Sequence, residues 1–181
     1  MDLTGHFVRM AENSRWSNDR LLRAVLALPA GEFGAKRTSF FPSIEETLNH
    51  ILSVDLYYFD ALTEAGEGLA VFERFVPFAQ AGPLAAAQAE LDGRLTGFCR
   101  GLTAADLARR VVTDRGRDGE VPEAIADLLA HLFLHQIHHR GQVHAMLSGS
   151  SVPPPQLDEF FLDFDRDRRA DEVERLGLAG S

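Results

Sequence analysis

The segment HLFLHQIHHRGQVH, residues 131–144, contains five of the seven histidines of the chain within fourteen positions. Apolar residues surround these histidines, which is the environment of a packed helix rather than of a solvated loop. Each neutral imidazole carries one hydrogen-bond donor and one acceptor, and both groups need partners when the ring is buried. A function or a set of hydrogen-bond partners must therefore account for the five imidazole rings in this apolar segment.

The apolar residues around this segment have the spacing of a helix with one buried face. Ile125, Leu128 and Leu132 are separated by three and then four positions. The next positions on the same face are His135, His139, Gln142 and Met146. The pattern predicts that two histidines face the core, one helical turn apart, where leucine would be expected.

A histidine pair with i, i+4 spacing can direct two ring nitrogens at one metal ion. Zinc, nickel, copper and iron all accept imidazole, so the pair does not choose the metal. The alternative is that each histidine is a hydrogen-bonded core residue. His131 and His138 flank the buried face and are interpreted as neighbours of the site or as subunit contacts, while His144 and His6 have no supporting pattern.

The second helix offers a third histidine and a buried carboxylate. His50 flanks a line of predicted core residues, so its ring could face the fourth helix across the core. Asp55 lies on that line, where it could be a fourth ligand, accept a hydrogen bond from a ligand's ring N–H, or pair with an arginine such as Arg140. The last two roles are favoured. For Arg140, binding a substrate carboxylate is the alternative to an ion pair within the fold.

The composition is that of one ordinary globular domain of 181 residues, with 45% hydrophobic and 25% charged residues. A formal net charge of −9 argues against nucleic-acid binding, and no apolar run is long enough to cross a membrane. A single cysteine, Cys99, excludes an internal disulfide, and the N-terminal residues do not resemble a signal peptide, so a cytoplasmic location is expected. Cys99 itself is interpreted as a small buried hydrophobe.

Breakers divide the chain into four long helical patterns, which predict an all-α protein built as an antiparallel four-helix bundle. The predicted helices cover residues 3–28, 43–64, 83–99 and 122–147. Residues 66–82 form a long crossover, and TDRGRDGE at 113–120 is a polar loop or hairpin tip. The single predicted domain, 1–181, comprises the bundle at about 3–149 and a C-terminal extension, 150–181, whose first part packs on it.

Four sequences together carry a family resemblance: ENSRWSNDRLL, SIEETLNHILSVDLYYFDAL, LLAHLFLHQIHHRGQVHAML and VPPPQLDEFF, in this order. The chain resembles the DinB/YfiT-like family of four-helix bundles regarded as metalloenzymes. The most specific elements are H-x-x-x-H-R-G-Q, from His135 to Gln142, and the upstream N-H-I-L-x-x-D. The resemblance implies a divalent metal, commonly zinc or nickel, held by His50, His135 and His139, and often a homodimer.

Three histidines with an open position are typical of a catalytic metal site. The resemblance favours a thiol-dependent transferase or isomerase that uses a low-molecular-weight thiol and a small-molecule substrate. The alternatives are a metal-dependent hydrolase and, in a different class, a non-catalytic dimeric bundle of the stress response. Acid–base candidates are Asp55, Tyr57 and Tyr58, which are close in sequence to His50. Residues 66–82 and 150–165 are expected to line the mouth of the pocket. Glycine inside a helix costs about 1 kcal/mol relative to alanine, so Gly141 indicates a close approach by another helix or by the tail.

Overall fold

The computed structural model describes residues 2–179, so the predicted extension ends two residues beyond the described part. This part is mostly helical, with seven α-helices and one two-stranded antiparallel sheet. The four long helices are α1 (Leu3–Leu26), α2 (Ile44–Thr63), α4 (Ala81–Gly101) and α6 (Ile125–Ser148). The short helices are α3 (Ala70–Arg74), α5 (Ala104–Ala108) and α7 (Ala170–Leu176).

Helix α2 begins after an N-cap formed by Ser43, with Glu46 three residues later. Ser43 is in an extended conformation, and its side-chain oxygen accepts a hydrogen bond from the backbone N–H of Glu46 at 3.0 Å. The Ser43 hydroxyl also donates to the Glu46 carboxylate. This arrangement satisfies one of the free N–H groups of the first turn, so the helix begins at Ile44. The other end of α2 is closed by Glu64 with a left-handed backbone conformation.

Two apolar clusters and a polar layer between them organise the four long helices. One cluster includes Phe7 and Leu132, and the other includes Leu21 and Val143. In sequence order, α1 and α6 pass from the first cluster to the second, whereas α2 and α4 pass in the opposite direction. The pairs α1/α4 and α2/α6 are therefore antiparallel, and both pairs are in contact.

Because α2 and α4 run in the same direction, the chain must cross the length of the helices between them. This explains the long connection predicted at residues 66–82, within which the short helix α3 forms. The third long helix begins slightly earlier than predicted, at Ala81, and ends later, at Gly101.

The predicted start of the fourth helix at Pro122 is wrong. Pro122 lies in strand β2 (Glu120–Ala124), which pairs with β1 (Arg110–Asp114), and α6 begins at Ile125. The predicted polar hairpin tip forms the turn between these strands. Val111 and Thr113 are buried while Val112 is exposed, which is the alternation of a strand with one packed face.

The C-terminal segment lies against α1. Phe160 packs on Trp16, with ring centroids 5.5 Å apart. The Trp16 indole N–H donates to the Glu172 carboxylate at 2.7 Å, and Arg20 pairs with the same carboxylate. Arg175 forms a two-pronged ion pair with Asp19. Apolar and ionic contacts together therefore hold α7 on the first helix.

Candidate metal centre

Two contacting helices present the three predicted ligands to one another. His50 lies on α2, and His135 and His139 lie one turn apart on α6. The core line of α2 is buried as predicted: Ile44, Leu48, Ile51, Asp55 and Tyr58. His50 flanks this line and is partly exposed, so its ring lies at the edge of the interface between α2 and α6.

The three rings converge on a common point. The Nε2 atoms of His50 and His135 are 3.0 Å apart, and one ring nitrogen from each of the three histidines lies within 4.8 Å of the others. Two nitrogens bound to one tetrahedral zinc ion at 2.0–2.1 Å would be about 3.3 Å apart. The donor set and its spacing therefore fit a divalent ion bound by three histidines.

The surroundings keep these imidazoles neutral, as metal ligands must be. Burial and the charge of His139 lower the pKa of His50 from 6.5 to about 4. Burial and the neighbouring histidines lower the pKa of His135 to about 3. Burial also lowers the pKa of His139, although the hydrogen bond that its Nδ1–H group donates to Gln142 opposes this shift. The lowered pKa values therefore favour the neutral form of all three rings, which can coordinate a cation.

Gln142 orients one of the ligands. The Nδ1–H group of His139 donates to the Gln142 side-chain oxygen at 2.9 Å, which leaves the His139 Nε2 lone pair for a metal. The Gln142 amide then donates to His138 at 3.1 Å. Within residues 2–179, the buried Nδ1 of His135 has no hydrogen-bond partner. The final glutamine of the H-x-x-x-H-R-G-Q run, Gln142, thus orients the ring of His139 at the site.

The centre of the buried face of α6 differs from the prediction. Gln136 and Arg140 are buried, although neither lies on the predicted line of core positions, whereas His135 and Gln142, which do, are only partly buried. His139 is buried as predicted, so the histidine pair lies at the edge of the core. This position gives the site access to solvent.

Gln136 and Arg140 belong to the polar layer, to which all four long helices contribute. Its members are Ser14, Asn18, Asp55, Gln88, Asp92, Gln136 and Arg140. The Arg140 guanidinium donates to Ser14, Asn18 and the Gln136 oxygen. Gln136 and Gln88 both donate to Asp55. The layer fixes the rotation of α6, and with it the direction in which the two histidines point.

The predicted roles of Asp55 and Arg140 require correction. Among the described residues, no hydrogen bond or ion pair joins Asp55 to Arg140 or to the three histidines. Gln136 lies between Asp55 and Arg140 and bonds to both. Burial raises the pKa of Asp55 to about 8, and burial lowers the pKa of Arg140 to about 10. Both side chains therefore serve the interior of the fold.

The other candidates lie outside the cluster. The exposed His131 ring is 5.0 Å from the Tyr58 ring, and the Tyr58 hydroxyl accepts a bond from Arg115. The Tyr57 hydroxyl donates to the backbone oxygen of Asp114 at 2.5 Å. His144 binds the Pro155 carbonyl and so fastens the tail to α6. His6 is exposed.

Two further sequence interpretations have different outcomes. Cys99 is buried, as predicted, and burial raises the pKa of its thiol to about 12, which disfavours the reactive thiolate. The close approach predicted at Gly141 is wrong, because an added Cβ would meet no atom within 4 Å. Gly141 instead lines a cavity of about 420 Å³ with residues from the tail, including Leu157 and Phe161.

A second cavity, of about 280 Å³, opens beside His50. Phe75 and Pro77 line this cavity, as predicted for the crossover at residues 66–82. The C-terminal tail, which was predicted to line the same pocket, instead lines the cavity at Gly141. Phe41 was not singled out from the sequence, because it lies in a loop without helical spacing. Its ring is 4.4 Å from the His50 ring and 5.7 Å from the His139 ring. Phe41 therefore covers the histidine cluster from outside.

Comparison with known proteins agrees with this architecture. The family model described as DinB family matches residues 2–169. The crystal structure of a DinB-like protein, YjoA from Bacillus subtilis, is similar with a TM-score of 0.55 at 15% identity, covering 84% of this chain and 96% of that chain. None of the curated proteins matches the chain significantly. None of the helices within residues 2–179 has the length and apolarity needed to cross a bilayer.

Proposed function

This chain belongs to the DinB family, and from this premise we propose that it is a metal-dependent enzyme that acts on the sulfur of a low-molecular-weight thiol, as a transferase or isomerase. His50, His135 and His139 would hold the divalent ion. The observation that carries the proposal is the convergence of three neutral imidazoles from two helices. Zinc and nickel are the metals proposed, since both accept imidazole ligands.

Three neutral ligands leave the charge of a divalent ion uncompensated, so the ion would favour the deprotonated form of a thiol or water molecule. The protein contributes position and a partly dry environment. Gln142 fixes the His139 ring through its Nδ1–H group, and Phe41 shields one side of the cluster. Cys99 is too deeply buried to act as a nucleophile, so the reacting sulfur must come from outside the chain.

The surroundings of the cluster favour a thiol over water as the activated group. In the described part of the chain, no carboxylate contacts the three histidines, and Asp55 is engaged by two glutamines. A thiol has a pKa of about 8.5, compared with 15.7 for bulk water, so it needs far less help to lose its proton. Because no carboxylate within residues 2–179 is hydrogen-bonded to the three histidines, the cluster suits the deprotonation of a thiol better than that of water.

Metal uptake by untagged protein tests the proposal first. We expect one Zn²⁺ or Ni²⁺ ion per chain in equilibrium dialysis, loss of binding in His50→Ala, and unchanged binding in His6→Ala, whose histidine is exposed and outside the cluster. A wild-type protein that takes up neither ion would contradict the proposal. A turnover screen with and without small thiols follows. Turnover that does not depend on a thiol would indicate a hydrolase, and metal binding without any turnover would indicate a non-catalytic bundle.

We also propose that the two antiparallel helix pairs form one four-helix bundle. We further propose that two chains associate as a homodimer in the cytoplasm. The support is family membership together with large apolar side chains exposed on α6 and the tail. These are Leu134, Ile137, Phe161, Leu162 and Phe164. Light scattering on wild type and Ile137→Asp tests the dimer, with a shift to monomer expected in the variant.

A further inference from the structure

Two segments contribute apolar residues to the lining of the cavity beside His50. One is the loop with Phe41, whose ring lies against His50, and the other is the crossover with Phe75 and Pro77, called the crossover wall below. The cavity is about 280 Å³, just below the usual range for pockets that bind small molecules. His50 is the member of the histidine cluster that lines it, so a molecule in the cavity would lie next to one of the three proposed ligands.

Asn49 holds the crossover wall in place. Its side-chain oxygen accepts a hydrogen bond from the Phe78 backbone N–H at 2.7 Å, and its amide donates to the Phe78 carbonyl at 2.9 Å. The same amide donates to the Glu45 carbonyl within α2. Asn49 is buried, and its side chain bonds to both the N–H and the carbonyl of Phe78 in the crossover. The wall that carries Phe75 and Pro77 is therefore tied to the helix turn that carries His50.

The charges at this cavity have one sign. Glu45 and Glu46 line it, and no lysine or arginine is among its lining residues in the described chain. Arg37, from the preceding loop, is bound to Glu32 and to the carbonyls of Glu32 and Ala35. Arg140 points into the polar layer. A bound thiolate would neutralise one of the two charges of the metal ion. A further carboxylate or phosphate, placed in the cavity away from the metal, would meet no cationic side chain and would be repelled by two glutamates.

We propose that this cavity is the substrate pocket and that it selects thiols whose group near the sulfur is flat and apolar and which carry no carboxylate or phosphate. This inference rests on the metal site of the proposed function. Phe41 and Phe75 contact the apolar group, Asn49 positions the wall, and Glu45 and Glu46 exclude anions and tolerate cations. The sulfur reaches the cluster past His50, and the thiol proton passes to the solvent on binding.

A matched series of three benzyl thiols tests this selectivity on the Co²⁺-loaded protein. The probes are benzyl mercaptan and its para-carboxylate and para-aminomethyl derivatives, which place no charge, a negative charge or a positive charge away from the sulfur. The visible bands of Co²⁺ report whether the metal is bound, and sulfur-to-cobalt charge-transfer absorption reports thiol binding. We expect the neutral and cationic thiols to bind at least about tenfold more tightly than the anionic one.

The outcomes separate the two proposals. Absence of Co²⁺ binding would overturn the metal site, whereas Co²⁺ binding with equal or tighter binding of the anionic thiol would overturn the selectivity alone. In the variant with Glu45→Gln and Glu46→Gln the preference should shrink, and in Glu90→Gln, an exposed glutamate of α4 outside the cavity, it should persist. Phe75→Ala should weaken benzyl mercaptan binding about tenfold without changing Co²⁺ affinity. An unchanged affinity for benzyl mercaptan in Phe75→Ala would remove the crossover wall from the pocket.

Discussion

The Nε2 atoms of His50 and His135 lie 3.0 Å apart, although 85 residues separate them in the chain. A neutral imidazole carries one N–H group, so at this distance the Nε2–H of one ring can donate to the Nε2 of the other. A divalent cation between the rings would take the place of that proton and accept a lone pair from each ring, with the remaining proton of each ring on Nδ1. The low pKa values of both histidines disfavour the cationic imidazolium form, which would exclude a metal.

Replacing His135 should separate metal binding from folding. We expect His135→Ala to lower Zn²⁺ affinity by more than about 100-fold, the upper end of the range for loss of a supporting hydrogen bond. Alanine is a strong helix former, so the helical content in circular dichroism should be unchanged. Near-wild-type affinity in competition titrations would remove His135 from the site.

Gln142 should contribute to affinity without touching the metal. Gln142→Leu removes the acceptor for the His139 Nδ1–H group and should weaken Zn²⁺ binding about 10- to 100-fold. Gln142→Glu keeps an acceptor at the same place and should restore affinity to the wild-type level or above it. Equal affinities for all three proteins would show that His139 is oriented by packing alone.

Asp55 should make stability fall as pH rises. Burial raises its pKa from 3.8 to about 8 in the folded protein, so its carboxyl group keeps a proton that the unfolded chain loses near pH 4. Its contribution to stability is therefore complete below pH 4 and is lost as pH rises towards 8. Asp55→Asn should be more stable than wild type at pH 8 by about 1–3 kcal/mol, with a smaller difference at pH 4. Urea unfolding at both pH values provides the measurement, and a less stable variant at pH 8 would contradict the assignment.

Cys99 should be dispensable for any activity. Its thiol is buried with a pKa raised to about 12, so a thiol-specific reagent should label the folded protein only slowly. Cys99→Ala should keep wild-type metal affinity and turnover while losing about 1 kcal/mol of stability through reduced packing. Loss of turnover in a folded, metal-loaded Cys99→Ala protein would argue for a covalent role.

The C-terminal segment should stabilise α1 through Glu172. Glu172→Ala leaves the buried Trp16 N–H without its acceptor, which should cost about 1–3 kcal/mol. The chain has one tryptophan, so intrinsic fluorescence reports this contact directly. Glu174→Ala, an exposed position of the same helix, serves as the control. If both variants unfold at the same urea concentration as wild type, the contact contributes little.

The local order of the chain can be predicted because its signals are local. Ser43 with Glu46, the prolines and glycines between segments, and the apolar spacing of the helices indicate most of the secondary structure. Most helix boundaries differ from the prediction by one or two residues, and the larger error, at Pro122, arose because proline also suits the first turn of a helix. The spacing of His135 and His139 similarly determines that both rings leave α6 on one side.

The amino-acid sequence by itself therefore determined the approximate positions of the long helices and the histidine pair on α6. Only the tertiary structure decided that His50 meets this pair, that Gln136 separates Asp55 from Arg140, and that Phe41 covers the cluster. These relationships depend on the relative rotation and translation of packed helices and on the course of a loop. Such quantities are set by side-chain packing and by the shared hydrogen bonds of the polar layer, to which residues distant in sequence contribute jointly.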